Sequence, residues 1–311
     1  MSRPRLLITA RELAALLAAA PQSPSALPSA TRLLEAGYGA RAAFAQAHIP
    51  GAGYLDTEDI EHAPRWLRAP DDELLSVLLA QGIRHDTIVI LYGRNNLAAA
   101  RAAHLMLYAG VTDVRLLDGG FGAWLAAGYP CASGPPPAIP AARADVIATA
   151  VAGTGGAELA SAAAVAAFGR AFPAHPEYLI DTAGARALLA APDGVLASIR
   201  TEAEHLGHIS GYSYITARGD IPGARWAGAG DNGDVNSMSS YQLADGTTRP
   251  LRDIARRWRA AGITPERQVA FYCGTGWRAA MAFLYAYEMG WPRISVYDGG
   301  WCEWSVQLIQ G

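Results

Sequence analysis

Cys273 is followed by Gly274, Thr275, Gly276, Trp277 and Arg278. An apolar run, Val269, Ala270, Phe271 and Tyr272, leads into the cysteine, and a run of helix formers, 279–289, leads away from it and stops at Gly290. The spacing predicts a buried strand, a tight loop and a helix with a glycine stop. A short loop with two glycines in three positions can curl its backbone N–H groups towards one point, and the next helix adds the positive end of its dipole there. A thiol at that point loses its proton more readily, and the thiolate is the nucleophile. Arg278 adds a permanent cation at the helix entrance. The ordinary alternative is a structural cysteine at the end of a buried strand. The loop, the helix start and Arg278 together favour the nucleophile.

The elements that must position this loop occur twice. At a shift of 180 the two halves match without a gap: Val89, Tyr92, Gly110, Asp118 and Trp124 fall on Val269, Tyr272, Gly290, Asp298 and Trp304. Ile49-Pro50-Gly51-Ala52 falls on Ile221-Pro222-Gly223-Ala224 at a shift of 172, so the second half carries eight extra residues, expected in the polar stretch 229–250. Strands alternating with helices in each half predict an α/β fold with a parallel sheet covered on both faces. Gly93 stands where Cys273 would fall, so the first half has no nucleophile and reads as a scaffold. Residues 1–130 are the first domain, 131–176 a linker rich in Pro, Ala and Gly with one alanine-rich helix at 157–168, and 177–311 the second domain.

The chain has 311 residues, 51% hydrophobic and 17% charged, with a net charge of −3. That is enough for two domains with sizeable cores, and it excludes a disordered chain or a basic nucleic-acid binder. Three cysteines, Cys131, Cys273 and Cys302, argue for a reducing compartment and against a disulfide framework, and no pair has the spacing of a zinc site. Residues 6–20 read as a strand entering an amphipathic helix, with a capping box from Thr9 to Glu12, rather than as a signal peptide. A cytoplasmic protein without a membrane span is expected, with a monomer as the default.

Other polar residues cluster near the loop. Arg200 follows the strand that begins at Val195, and its counterpart in the first half is Gly37. Ligands of parallel α/β sheets sit beyond the carboxyl ends of strands, which is where both Arg200 and Cys273 fall. Tyr212, Tyr214, Arg218 and Arg225 flank the Ile221 turn and suggest a pocket rim, and 231–240 reads as a mobile flap. Cys302 has glycine, Gly122, as its first-half counterpart, so it reads as a packed bystander, as does Cys131.

The loop from Cys273 to Arg278, the segment Asp298-Gly299-Gly300-Trp301 and the tandem halves resemble the two-domain rhodanese sulfurtransferases, in a bacterial form with this Cys-Gly-Thr-Gly-Trp-Arg loop. The resemblance covers most of the chain apart from its middle. It implies tandem rhodanese-like domains, an inactive first half, and a bowl formed by Gly274, Thr275, Gly276, Trp277 and Arg278 that holds a sulfur on Cys273. It also implies that Arg200 contacts an anionic donor. The family's commoner pattern has Asp where Ser198 stands. Two-step transfer would follow: Cys273 attacks the sulfane sulfur of thiosulfate or 3-mercaptopyruvate, and cyanide or a thiol removes it, with no metal or organic cofactor. Two cations, Arg200 and Arg278, facing the donor favour the dianion thiosulfate. A cysteine phosphatase is disfavoured because its loop carries five residues between Cys and Arg, and here there are four. A persulfide carrier or sensor bound to a partner protein is the non-enzymatic alternative.

Overall fold

A computed structural model describes residues 5–19, 31–138, 157–230, 234 and 236–310. The chain divides into two compact units, Met1–His62 with Arg68–Pro176, and Ala63–Leu67 with Glu177–Gly311. Each is an α/β unit with a five-stranded sheet.

In the first unit the strands are β1 (Leu7–Ile8), β2 (Thr31–Gly37), β3 (Gly53–Asp56), a small pair β4 (Glu61–His62) and β5 (Leu67–Arg68), β6 (Ile88–Tyr92) and β7 (Asp113–Leu117). The main sheet runs β1-β7-β6-β2-β3, with every pairing parallel. Its helices are α1 (Ala10–Ala19), α2 (Arg41–Gln46), α3 (Asp71–Ala80), α4 (Asn96–Ala109) and α5 (Gly120–Ala126). The capping box before α1 forms as read: Thr9 N–H and Oγ1 reach Glu12 Oε2, and Glu12 N–H returns to Thr9 Oγ1. Helix α6 (Ala157–Phe168) forms where the alanine run predicts one. It belongs to the first unit rather than to a free linker: Phe168 is fully buried and its carbonyl accepts from both the backbone N–H and Nδ1 of His85. Residues 139–156 of the linker lie outside the described residues, as do 231–233 and 235 of the stretch read as a flap.

In the second unit the strands are β8 (Leu179–Ile180), β9 (Gly194–Ser198), β10 (Arg225–Trp226), β11 (Gln268–Tyr272) and β12 (Ile294–Tyr297), in the parallel order β10-β9-β11-β12-β8. The helices are α7 (Thr182–Ala190), α8 (Glu202–His205), α9 (Leu251–Ala260), α10 (Trp277–Glu288) and α11 (Gly300–Gln310). Strand β11 is central and wholly apolar from Val269 to Tyr272, and each of these residues is buried, as a strand covered on both faces requires. It therefore presents Cys273 at a fixed point beyond its carboxyl end.

The two sheets agree register for register. Glu35 pairs with Tyr92 as Ser198 pairs with Tyr272. Leu34 pairs with Gly53 as Ala197 pairs with Arg225, and Val89 with Val114 as Val269 with Ile294. Gly37 thus stands where Arg200 does. The shift passes from 172 at β10 to 180 at α9, which places the extra residues of the second half between Trp226 and Leu251. Among the described residues, no helix is long and apolar enough to cross a membrane.

Candidate active site

Cys273 is 1% exposed at the end of β11. Gly276 has φ of 106°, a left-handed conformation that a residue with Cβ rarely adopts, and this turns its N–H onto Cys273 Sγ at 3.2 Å. Gly276 is also the residue that caps α10, so the sulfur lies at the positive end of a twelve-residue helix. The far side of the loop is pinned to α11, because Trp301 N–H donates to the Cys273 carbonyl at 2.8 Å and Cys302 N–H to that of Gly274 at 3.1 Å. The carbonyls of Cys273 and Gly274 are thus bonded on the far side of the loop, while the Gly276 amide faces the sulfur. Thr275 and Arg278 are buried with the cysteine and Trp277 is half-buried.

Behind the loop lies a buried ionic network. Arg278 grips Glu204 with both terminal nitrogens, at 2.8 and 2.9 Å, and gives a further bond to the Tyr212 hydroxyl at 3.0 Å. Arg200 Nε reaches the same Glu204 at 3.4 Å. Its Nη1 bonds the Gly219 carbonyl and Asp220, and its Nη2 the Ser210 carbonyl at 3.1 Å. The guanidinium carbon stands 5.1 Å from the centre of the Trp301 ring. Glu204 is held in turn by a capping box, with Thr201 N–H and Oγ1 on its Oε2. Burial alone would raise the Glu204 carboxyl, but Arg278, the Thr201 amide and Arg200 outweigh it and hold it below the ordinary value. Removing Glu204 would strand Arg278, and breaking a buried pair in this way costs about 3–5 kcal/mol.

This geometry corrects two expectations. Arg200 is 0% exposed and every nitrogen of its guanidinium is taken by a protein acceptor, so its charge is not offered to a donor. Arg278 is 1% exposed and commits both terminal nitrogens to Glu204 and Tyr212, while its Nε is buried without a partner. The argument for a dianion from two outward-facing cations therefore fails. Of the four rim residues, Tyr212 lies directly over Gly274, and Tyr214 packs beside it with ring centroids 5.4 Å apart, half exposed. Arg218 is exposed. Arg225 bonds the carbonyls of Ala261 and Gly262, which precede β11, and so points to the opposite end of the sheet from Cys273.

Glu204 and Asp220 are the site residues that sequence reasoning missed. Asp220 accepts from Ser198 Oγ at 2.7 Å, His205 Nδ1 at 2.6 Å, the Tyr272 hydroxyl, Arg200 and the Ile221 amide. Burial would raise its carboxyl, but His205, Arg200, Tyr272 and Ser198 bring it below the ordinary value. It thus supplies, from the loop that precedes β10, the carboxylate that the commoner pattern has at position 198. The signal that could have found Glu204 is the Thr201–Glu204 capping-box spacing. Cys302 is buried, and burial raises its thiol, in keeping with a bystander, while Cys131 is exposed. Among the described residues no group of acidic, histidine or cysteine side chains could hold a metal.

The rhodanese-like domain family matches residues 29–127 and 181–307. The thiosulfate sulfurtransferase YnjE of Escherichia coli (strain K12) is 47% identical over 274 residues, which cover 88% of this chain and 57% of that one. The chain therefore spans little more than half of that relative. A probable 3-mercaptopyruvate sulfurtransferase of Pseudomonas aeruginosa is 30% identical over 312 residues, covering 96% of this chain and 94% of the relative. The crystal structure of YnjE superposes with a TM-score of 0.82 at 42% identity, over 98% of this chain and 68% of that one. EanB superposes with the same TM-score at 35% identity, over 97% and 67%, and its structures include a hercynine complex and a cysteine persulfide with ergothioneine.

Proposed function

The chain belongs to the rhodanese-like domain family, and from that premise we propose that it is a sulfurtransferase that carries sulfur as a persulfide on Cys273. The observation that carries the reading is the Gly276 N–H on Cys273 Sγ in a loop whose first two carbonyls, of Cys273 and Gly274, are bonded to α11. The thiolate attacks the outer sulfur of the donor. With thiosulfate, the S–S bond breaks and sulfite leaves with the bonding pair. The new terminal sulfur carries the negative charge, and the loop amides and the start of α10 hold it. Cyanide or a thiol then takes that sulfur and the thiolate returns. No proton need move in the first step. Thiosulfate is the donor we put first, supported by the name of the 47% identical relative; 3-mercaptopyruvate is the alternative, supported by the Gly274-Thr275-Gly276 loop and by the second relative.

Intact mass after incubation with thiosulfate is the test. The protein should gain one sulfur atom, located on Cys273, and Cys273→Ser should gain none. A gain on Cys302 or Cys131, or none with either donor, overturns the proposal. Offering the loaded protein cyanide, a thiol or hercynine in parallel identifies the acceptor. Hercynine is included because EanB structures hold it and because Tyr212 and Tyr214 give this loop an aromatic border. Multiple turnover separates an enzyme from a carrier that awaits a partner protein.

A further inference from the structure

The bowl under Cys273 is backed by two arginines and two carboxylates. Arg200 and Arg278 are 0% and 1% exposed, and both bond Glu204, which is 0% exposed. Asp220 stands 3.4 Å from Arg200. The formal charges of this group cancel. What remains to attract a donor is the set of loop amides and the end of the α10 dipole, together worth a fraction of a charge. A thiolate already occupies the bowl. A donor that brings two negative charges close to the reacting sulfur meets that thiolate with little to offset it. A donor whose single charge lies on a distant carboxylate meets much less repulsion.

We propose that Glu204 is the residue that sets donor selectivity, by cancelling the charge of Arg278 behind the bowl and so limiting the advantage of dianionic over monoanionic sulfur donors. This rests on the persulfide reading of Cys273. Glu204 acts through Arg278 and does not touch the donor, so it is a positioning residue. Its geometry suits the role. The bidentate grip aligns both terminal nitrogens of Arg278 with the carboxylate, and Thr201 fixes the carboxylate from the other side. Charge on Arg278 is not titrated away: burial opposes it, but Tyr212, Glu204 and Cys273 outweigh burial and keep it protonated. The charge of Arg278 is therefore cancelled by Glu204, and that of Arg200 is shared between Glu204 and Asp220.

Glu204→Gln keeps the shape and one acceptor oxygen while removing the charge. The ratio of kcat/KM for thiosulfate to kcat/KM for 3-mercaptopyruvate is the readout, because both numbers come from the same folded fraction and a loss of folded protein divides out. One uncancelled charge behind the bowl should raise that ratio about tenfold. The thiosulfate KM should also become more sensitive to added salt than that of the wild type. Asp220→Asn removes the second carboxylate and should move the ratio in the same direction by less, so the proposal stays testable if the first variant does not fold. A ratio that is unchanged or lower in both variants, with both donors losing rate in proportion, overturns it and leaves Glu204 a structural clamp. If the wild-type chain transfers sulfur from neither donor, the persulfide reading itself has failed, which is a different result.

Discussion

Gly274 is fixed by what lies over it. A Cβ at this position would come within 2.1 Å of Tyr212 Cε2 and 2.6 Å of Cζ. The ring cannot swing away freely, because its hydroxyl is bonded to Arg278 and Arg278 is bonded to Glu204. Gly274→Ala should therefore destabilise the protein by about 1–3 kcal/mol, the usual range for forced overpacking, and lower sulfur transfer about tenfold as the bowl deforms. Thermal unfolding checks the first effect and single-turnover rates the second. Gly274→Ala combined with Tyr212→Ala should regain most of the stability, since the clash is gone. A single variant that melts with the wild type shows that the ring yields easily. Cys273 was legible in the sequence because its activating neighbours are contiguous with it. Glu204 was not, because its meaning comes from Arg278, 74 positions away, and position 204 alone reads as an exposed helix residue.

At the level of the elements, each half places a carboxylate beside the paired ends of its two central strands, in the first half from a strand and in the second from a loop. In the first half it is Glu35 at the end of β2, paired with Arg94 at 2.9 Å; in the second it is Asp220, beside Ser198 at the end of β9. Their titrations differ in sign. Glu35 is raised above 4.5, mainly by burial and against the charge of Arg94, so its contribution is complete below 4.5 and is lost as pH rises through its folded value. Asp220 and Glu204 are lowered from 3.8 and 4.5, so they contribute above those values and fail as pH falls through their folded ones. Melting followed from pH 7 to pH 2 should show an acid limb below about pH 4, and Asp220→Asn should flatten it. Glu35→Gln should raise the melting temperature at pH 7. An Asp220→Asn protein with an unaltered acid limb would sink the assignment. The elements themselves were readable from periodicity: α10 begins at Trp277 where 279 was expected. The move of the carboxylate from strand to loop was not, since it shows only once register puts Ser198 opposite Tyr272 and the fold brings Asp220 to both.

Across the whole molecule, two sheets of identical order and register end in a cysteine, Cys273, in one half and a glycine, Gly93, in the other. The duplication was readable from repeated Gly, Asp and Trp markers, which must recur because both halves turn at the same points. The silence of the first half runs deeper than its missing thiol. Phe121 N–H still holds the Gly93 carbonyl, as Trp301 N–H holds that of Cys273. Where Gly276 aims its amide at the sulfur, however, the first half has Asn96. Its Oδ1 accepts the Gly93 N–H at 3.1 Å and its Nδ2 donates to the Leu117 carbonyl, so the side chain closes the loop from within. A Cβ on Gly93 would stand 2.5 Å from the Asn95 carbonyl oxygen and 3.0 Å from that of Ala36. No bowl exists to receive a sulfur there. Gly93→Cys placed in a Cys273→Ser background should therefore transfer no sulfur and gain none by intact mass with thiosulfate. Adding Asn96→Gly clears the loop but supplies neither the left-handed turn's partner residues nor a counterpart of Arg278, since Ala98 stands at that position. That triple variant should stay below about a thousandth of wild-type turnover, the scale of loss when positioned amides and orientation are both missing. Turnover by either variant would show that the fold alone suffices once a thiol stands at the strand end, and the bowl around Cys273 would then lose its claim to be what makes that cysteine work.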